Sequence, residues 1–216
     1  MNDRDNNLWL ELVQMFDEVK CDIKINEADT EVADKILERL QITKKSALGA
    51  IVYNTSGITI GSWIRILGSG NDIDTRNIIT WNNFDCNGVA TKIKGALIIA
   101  DDIIGGIFAL NAGKFNGEKG DVWYFAPDTL QWESLKMKYS EFISWTVNGN
   151  VDEFYISLRW NEWLKQAKTV GFNDAILVYP FLWSDGVDIE KADKKIIPLE
   201  ELLNINLECS KKFGFL

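Results

Sequence analysis

The side chains best placed by type to do chemistry are the carboxylates Asp101, Asp102, Asp128 and Glu133, which flank the β-favouring runs in the middle of the chain. Acids at strand ends can hold Mg²⁺ or work as an acid and base pair. A structural role competes with that reading. Aspartates in turns bond nearby backbone N–H groups, Asp128 follows Pro127 where a turn or cap falls, and adjacent acids on a strand point to opposite sides. The structural role is the stronger, so the sequence predicts no catalytic residue, no metal ligand and no cofactor. It leaves these four acids as candidates for touching a ligand or a partner. Gly105 and Gly106, read as turn or bulge positions, join them, as does Asn111, which opens a loop rich in Gly and Asn that runs to Gly120.

Nine tryptophans raise a second kind of chemistry, since exposed aromatic faces stack on sugars and cations. Most lie in apolar periodic segments and read as core. Trp132 and Trp183 neighbour turn or charged residues and are the ones expected to line a cleft. Arg159 sits within the aromatic stretch Phe154 to Trp163, where a lone guanidinium is costly, so an acidic partner is expected, with Asp128 or Glu133 the choice. Arg65, between Ile64 and Ile66, is expected to alternate outward to solvent.

The chain contains no histidine, which removes Ser-His-Asp and Cys-His catalysis and histidine-ligated zinc or iron. No G-x-x-x-x-G-K-[ST] loop occurs. Gly68-Ser69-Gly70 is followed by Asp72 and Asp74, where a phosphate would meet two acids, and reads as a tight turn. Cys21, Cys86 and Cys209 are odd in number and widely spaced, so they read as reduced packing residues. A net charge of −9 argues against nucleic acid and anionic membranes and suits solubility or a basic protein partner. No apolar run approaches the roughly 20 residues of a membrane span. Acids near the N-terminus stand where a secretory signal carries positive charge, so a cytoplasmic protein is expected.

These residues need elements to carry them. Leu8, Leu12, Phe16 and Val19 recur at helical spacing, and Val32, Ile36, Leu37 and Leu40 form a second stripe behind Thr30 as cap, giving N-terminal helices over 7–42. From about residue 50 the period shortens. Ala50 to Tyr53, Gly57 to Ile60, Trp63 to Leu67, Ile78 to Trp81, Ala96 to Ala100, Ile107 to Leu110 and Val122 to Phe125 read as strands separated by turns. Ser140 is expected to cap a short helix that Gly149 ends in a left-handed conformation. A longer helix follows from Asn150 to about Thr169, then a strand at Ala175 to Tyr179 and a short helix after Pro198. The fold class is therefore α+β: one domain over 1–216, with a mainly antiparallel sheet over about residues 50–126, packed by N-terminal helices and by a helical and extended part over 139–216.

The run Gly95 to Asn111, then Val122-Trp123-Tyr124-Phe125 through Leu135, Tyr139 to Trp145, Leu158-Arg159-Trp160 and Tyr179 to Trp183 resembles DUF2625, a bacterial family with no assigned activity. The order of parts is also similar to the SUKH superfamily. Its members are largely α+β binding modules, many of them immunity proteins that neutralise toxins. The resemblance implies a non-enzymatic protein-binding module and supplies no catalytic residues. The alternative is a small-molecule binding protein or carboxylate-dependent hydrolase with a cleft near Asp101, Asp102, Asp128 and Trp132.

Overall fold

Local capping sets several element boundaries. The Asp29 carboxylate accepts hydrogen bonds from the N–H groups of Glu31 and Val32, so Asp29, not Thr30, caps the helix Thr30–Leu40. Ser46 does the same for Gly49 and starts a helix over Ala47–Asn54. Asn77 and Thr80 form a reciprocal capping box for Ile78–Trp81. In the computed structural model, which describes residues 7–71 and 76–215, Asp3, Asp5, Asp72 and Asp74 lie outside the described residues.

Along the chain, α1 (Asn7–Asp17), β1 (Ile23–Glu27), α2 (Thr30–Leu40) and α3 (Ala47–Asn54) lead into β2 (Thr55–Ile60) and β3 (Ile64–Leu67). After α4 (Ile78–Trp81) come β4 (Ala96–Asp102), β5 (Ile107–Asn111), β6 (Asp121–Phe125) and β7 (Trp132–Lys138). The remainder is α5 (Tyr139–Asn148), α6 (Val151–Phe154), α7 (Trp163–Ala167), β8 (Asp174–Tyr179), β9 (Asp193–Pro198) and α8 (Leu199–Lys212). Strands β1 to β7 form one antiparallel sheet in strict chain order, and β8 and β9 pair as a separate hairpin. This is the expected α+β fold with helices flanking an antiparallel sheet. No helix among the described residues is long and apolar enough to cross a membrane.

Both faces of the central strands are covered. Every residue of β3 is buried, and in β4 and β5 only Leu97 and Leu110 are half-buried. One face carries Ile64, Ile66, Ala100, Phe108 and Tyr124; there Phe108 meets Phe142 of α5 with ring centroids 4.9 Å apart. The other face carries Arg65 and Asp101 and is closed by residues 171–174 leading into β8, and Ile176 N–H donates to the Ile103 carbonyl at 2.6 Å. Each fully buried phenylalanine or isoleucine contributes about 1.5–3 kcal/mol.

Several expected elements take another form. Ala50 to Tyr53 lies in helix α3 and Ile78 to Trp81 in helix α4, because the caps at Ser46 and Asn77 start helices there and outweigh the β preference of the side chains that follow. The sheet also extends beyond residues 50–126 through the edge strands β1 and β7, so the N-terminal region is not purely helical. The helix foreseen over 150–169 is broken into α6 and α7, with Glu162 left-handed at φ 61°. Helix α5 begins at Tyr139, with the Glu141 carboxylate accepting the Lys138 N–H, and Gly149 has φ −88°, outside the left-handed region. Gly149 is needed because a Cβ there would run into the Trp145 ring. Gly68-Ser69-Gly70 is not the expected tight turn: it runs on beside the start of β2, where the N–H groups of Ser69 and Gly70 donate to the carbonyls of Thr55 and Ser56, and Gly70 has φ +71°. All three cysteines are unpaired, and Cys86 is exposed, so it is not a packing residue.

Candidate functional site

Antiparallel register sets Arg65 on β3 directly beside Asp101 on β4. Arg65 Nε donates to Asp101 Oδ1 at 2.6 Å, and the second carboxylate oxygen takes an ion pair from Arg76 Nη1. Further guanidinium donors reach backbone carbonyls, Arg65 to Asp102, Gly171 and Asp174 and Arg76 to Phe172, and Arg76 Nε donates to Asn173 Oδ1 at 3.2 Å. Arg65 is 1% exposed, which corrects the outward-pointing expectation: this face of the sheet is covered, so alternation sends the side chain into a second buried layer. Breaking one member of a buried ion cluster strands the others, so this three-residue clasp fastens β3 and β4 to the start of β8.

The next residue faces the other way. Asp102 Oδ2 accepts hydrogen bonds from the Tyr124 hydroxyl at 2.7 Å and the Tyr155 hydroxyl at 3.0 Å, and Oδ1 accepts from the N–H groups of Gly106 and Ile104. All four acceptor positions are filled. Burial pushes the Asp102 carboxyl above the usual carboxylate range, against the opposing pull of these donors. Both tyrosine hydroxyls are pushed well above their ordinary value, first by burial and then by the neighbouring Asp102 charge. Gly106 is required here, since a Cβ would collide with Asp102 Oδ2 and the Tyr124 hydroxyl. Gly105, at φ +93°, lies against Leu202 and Asn206 of α8.

Asn111 organises the loop that follows it. Its Nδ2 donates to the carbonyls of Phe115, Gly117 and Glu118, and its Oδ1 accepts from the N–H groups of Gly113 and Phe115. The loop thereby presents Phe115, which stacks on Trp123 at 4.5 Å and meets Trp132 at 4.8 Å. These rings share a cleft of about 350 Å³ with Lys114, Gln131 and Phe215. Trp183 stacks on Phe181 at 4.7 Å and meets Phe213 at 5.5 Å, and Phe213 lies 6.2 Å from Phe215. Trp132 therefore lines this cleft with Phe215, and Trp183 belongs to the separate run of rings that ends at Phe215.

Arg159 pairs with Asp152, not with Asp128 or Glu133. Its guanidinium lies 4.0 Å from the Trp163 ring centre and 4.9 Å from that of Trp63. The reason for the different partner is the break between α6 and α7, which folds Arg159 back toward the start of α6. Asp128 is half-buried beyond Pro127, and Glu133 is exposed on β7.

The candidate residues therefore separate. Asp101 and Asp102 are both 0% exposed and face opposite sides of the sheet, so they do not form a shared cleft with Asp128 and Trp132. Among the described residues no group of three or more His, Cys, Asp or Glu is arranged to hold a metal. Sequence reading missed Arg65, Arg76, Tyr124 and Tyr155 as the partners of the two acids. A signal was present for Arg65 alone, as a charge inside an otherwise apolar strand.

The comparisons with known proteins agree with the resemblance seen in the residues. YbfG of Escherichia coli, an uncharacterized protein, is 40% identical over 186 residues, covering 85% of this chain and 82% of its own length. An uncharacterized protein of Haemophilus influenzae is 32% identical over 214 residues, 97% of this chain and 92% of its own. A family model described as "Protein of unknown function DUF2625" matches residues 1–202. With identity of this extent over nearly the whole chain, the protein belongs to the DUF2625 family.

Proposed function

We propose that the protein is a non-enzymatic recognition module of the cytosol that takes a basic protein partner on the aromatic ridge Tyr179–Phe181–Trp183–Phe213–Phe215. The observation that carries this reading is the ridge itself. Its successive rings lie within about 6 Å of one another, and Tyr179, Phe213 and Phe215 remain 59%, 52% and 48% exposed. Contiguous exposed aromatic surface is rare on monomers and enriched where proteins meet. A net charge of −9 opposes association with a second copy and steers a cationic partner, whose Lys and Arg side chains find ring faces to stack on. Asp101 and Asp102 support the same reading from the other side, since their acceptor positions are committed inside the fold. The likeness to the SUKH superfamily favours a partner of the toxin type, neutralised by being held.

The test is site-specific photocrosslinking in native cytosol, with a benzophenone side chain at Phe213 and, as a control, at the distant exposed Val89. A partner of basic isoelectric point captured from position 213 only, lost in Trp183→Ala and weakened by salt, supports the proposal. Capture of an acidic partner, equal capture from position 89, a self-adduct, or no adduct from either position overturns it.

A further inference from the structure

A cavity of about 300 Å³ lies between β2, β3 and the α5–α7 segment, apart from the aromatic ridge, with Trp63, Trp163, Arg159, Asp152 and Cys21 on its wall. Arg159 dominates its chemistry. The Arg159 side chain is 11% exposed, whereas its carboxylate partner Asp152 is 96% exposed. A buried cation is thus held by an acid that belongs to the solvent, and an exposed acid of this kind is weakly bound and easily displaced. Arg159 Nε and Trp63 Nε1 are buried behind the wall without an acceptor, so the outer guanidinium edge that holds Asp152 is the part a ligand can reach. Lys20 and Arg159 stand against Asp152 and the neighbouring Asp22, so charge is balanced there and the sheltered guanidinium of Arg159 is the cavity's positive centre. The rest of the wall includes Ile60, Ile64, Val147 and Val151.

We propose that this cavity binds a small monocarboxylate with an apolar body. The carboxylate would engage the outer Nη edge of the Arg159 fork in place of Asp152, a geometry that guanidinium suits and ammonium does not. The apolar body lies against the aliphatic and indole wall. Asp152 acts as an internal competitor at the mouth, occupying Nη1 and lowering the affinity for the ligand.

The test titrates the full-length protein with phenylacetate and isovalerate, using phenylacetamide as the uncharged isostere. Binding is read by calorimetry and by the rate of iodoacetamide alkylation at Cys21, resolved from Cys86 by peptide mass spectrometry. At least one of the acids should bind saturably and protect Cys21 but not Cys86, while phenylacetamide binds about tenfold more weakly than phenylacetate. Arg159→Lys should weaken binding about tenfold. Asp152→Asn, an exposed change that leaves folding intact, should strengthen it about threefold by removing the competitor. Phe213→Ala should change nothing, which separates this site from the ridge. Equal binding of phenylacetate and phenylacetamide, unprotected Cys21, weaker binding in Asp152→Asn, or no saturable binding of either acid at millimolar concentration overturns the proposal.

Discussion

Asp101 and Asp102 are neighbours on one strand with their carboxylates on opposite faces of the sheet, one ion-paired to Arg65 and Arg76 and the other hydrogen-bonded by Tyr124 and Tyr155. The same chemical group, one residue apart, is clamped between two guanidiniums on one side and pushed by burial toward its neutral form on the other. Environment alone makes the difference, and each side makes its own prediction.

Asp101→Asn keeps the shape of the side chain and removes the charge that two guanidiniums share. With Arg65 and Arg76 only 1% and 6% exposed, the loss should be about 3–5 kcal/mol, read as a fall in the urea midpoint at constant slope. A loss under about 1 kcal/mol would mean that the backbone carbonyls hold the arginines without the acid.

The raised Asp102 carboxyl makes stability depend on pH in a direction opposite to the usual salt-bridged acid. Because the folded-state value lies above the unfolded one, the stabilising contribution is fully present below the unfolded value, about 4, and is lost as pH rises through the folded value. Asp102→Asn removes that dependence. The stability of the wild type relative to Asp102→Asn should therefore decline as pH rises from about 4, measured by denaturant titrations across the range. A difference that grows with pH would show that the tyrosine and backbone donors outweigh burial.

Gly106→Ala should cost about 3 kcal/mol, because the added methyl group meets Asp102 and Tyr124 directly. Gly120→Ala is the control: Gly120 has φ +82° but open space around it, so only backbone strain of about 1 kcal/mol is expected. Thermal unfolding of the two variants compares the effects, and equal losses would remove the steric account.

Asn111→Ala should release the loop it organises and, with it, the Phe115 face of the aromatic cleft. The expected signs are faster amide exchange at Gly113 and Phe115 and an altered tryptophan emission from Trp123, with the remainder of the sheet still protected. Unchanged exchange at Phe115 would show that ring stacking holds the loop by itself.

Much of the sheet could be read from the chain. The runs Ile64 to Leu67, Ala96 to Ala100, Ile107 to Leu110 and Val122 to Phe125 are apolar enough to announce buried strands, and all four lie in the sheet. The edges were harder, because β1 and β7 mix exposed lysines and glutamates with half-buried residues: β1 falls inside the stretch expected to be helical over 7–42, and β7 lies between the expected sheet and the C-terminal part. Helix α3 was hidden by Ile51, Val52 and Tyr53, although Ser46 with its bond to Gly49 was a legible start. At the site, Trp132 and Trp183 could be singled out from their polar neighbours. The clasp could not, because its members are 36 and 25 residues apart in sequence and only the fold decides that a charged residue inside an apolar strand faces a second layer.

The strict chain order of β1 to β7 also has a kinetic consequence. The pairs β2–β3, β4–β5, β5–β6 and β6–β7 close across short stretches of chain with a small entropic toll for each, whereas β1–β2 enclose α2 and α3 and β3–β4 enclose α4. Arg65 cannot complete its bonds until residues 171–174 arrive, about a hundred positions later, so the C-terminal hairpin is the piece that docks last. Pulse-labelled hydrogen exchange during refolding should protect Ile98 before Ile176, and simultaneous protection would contradict that order.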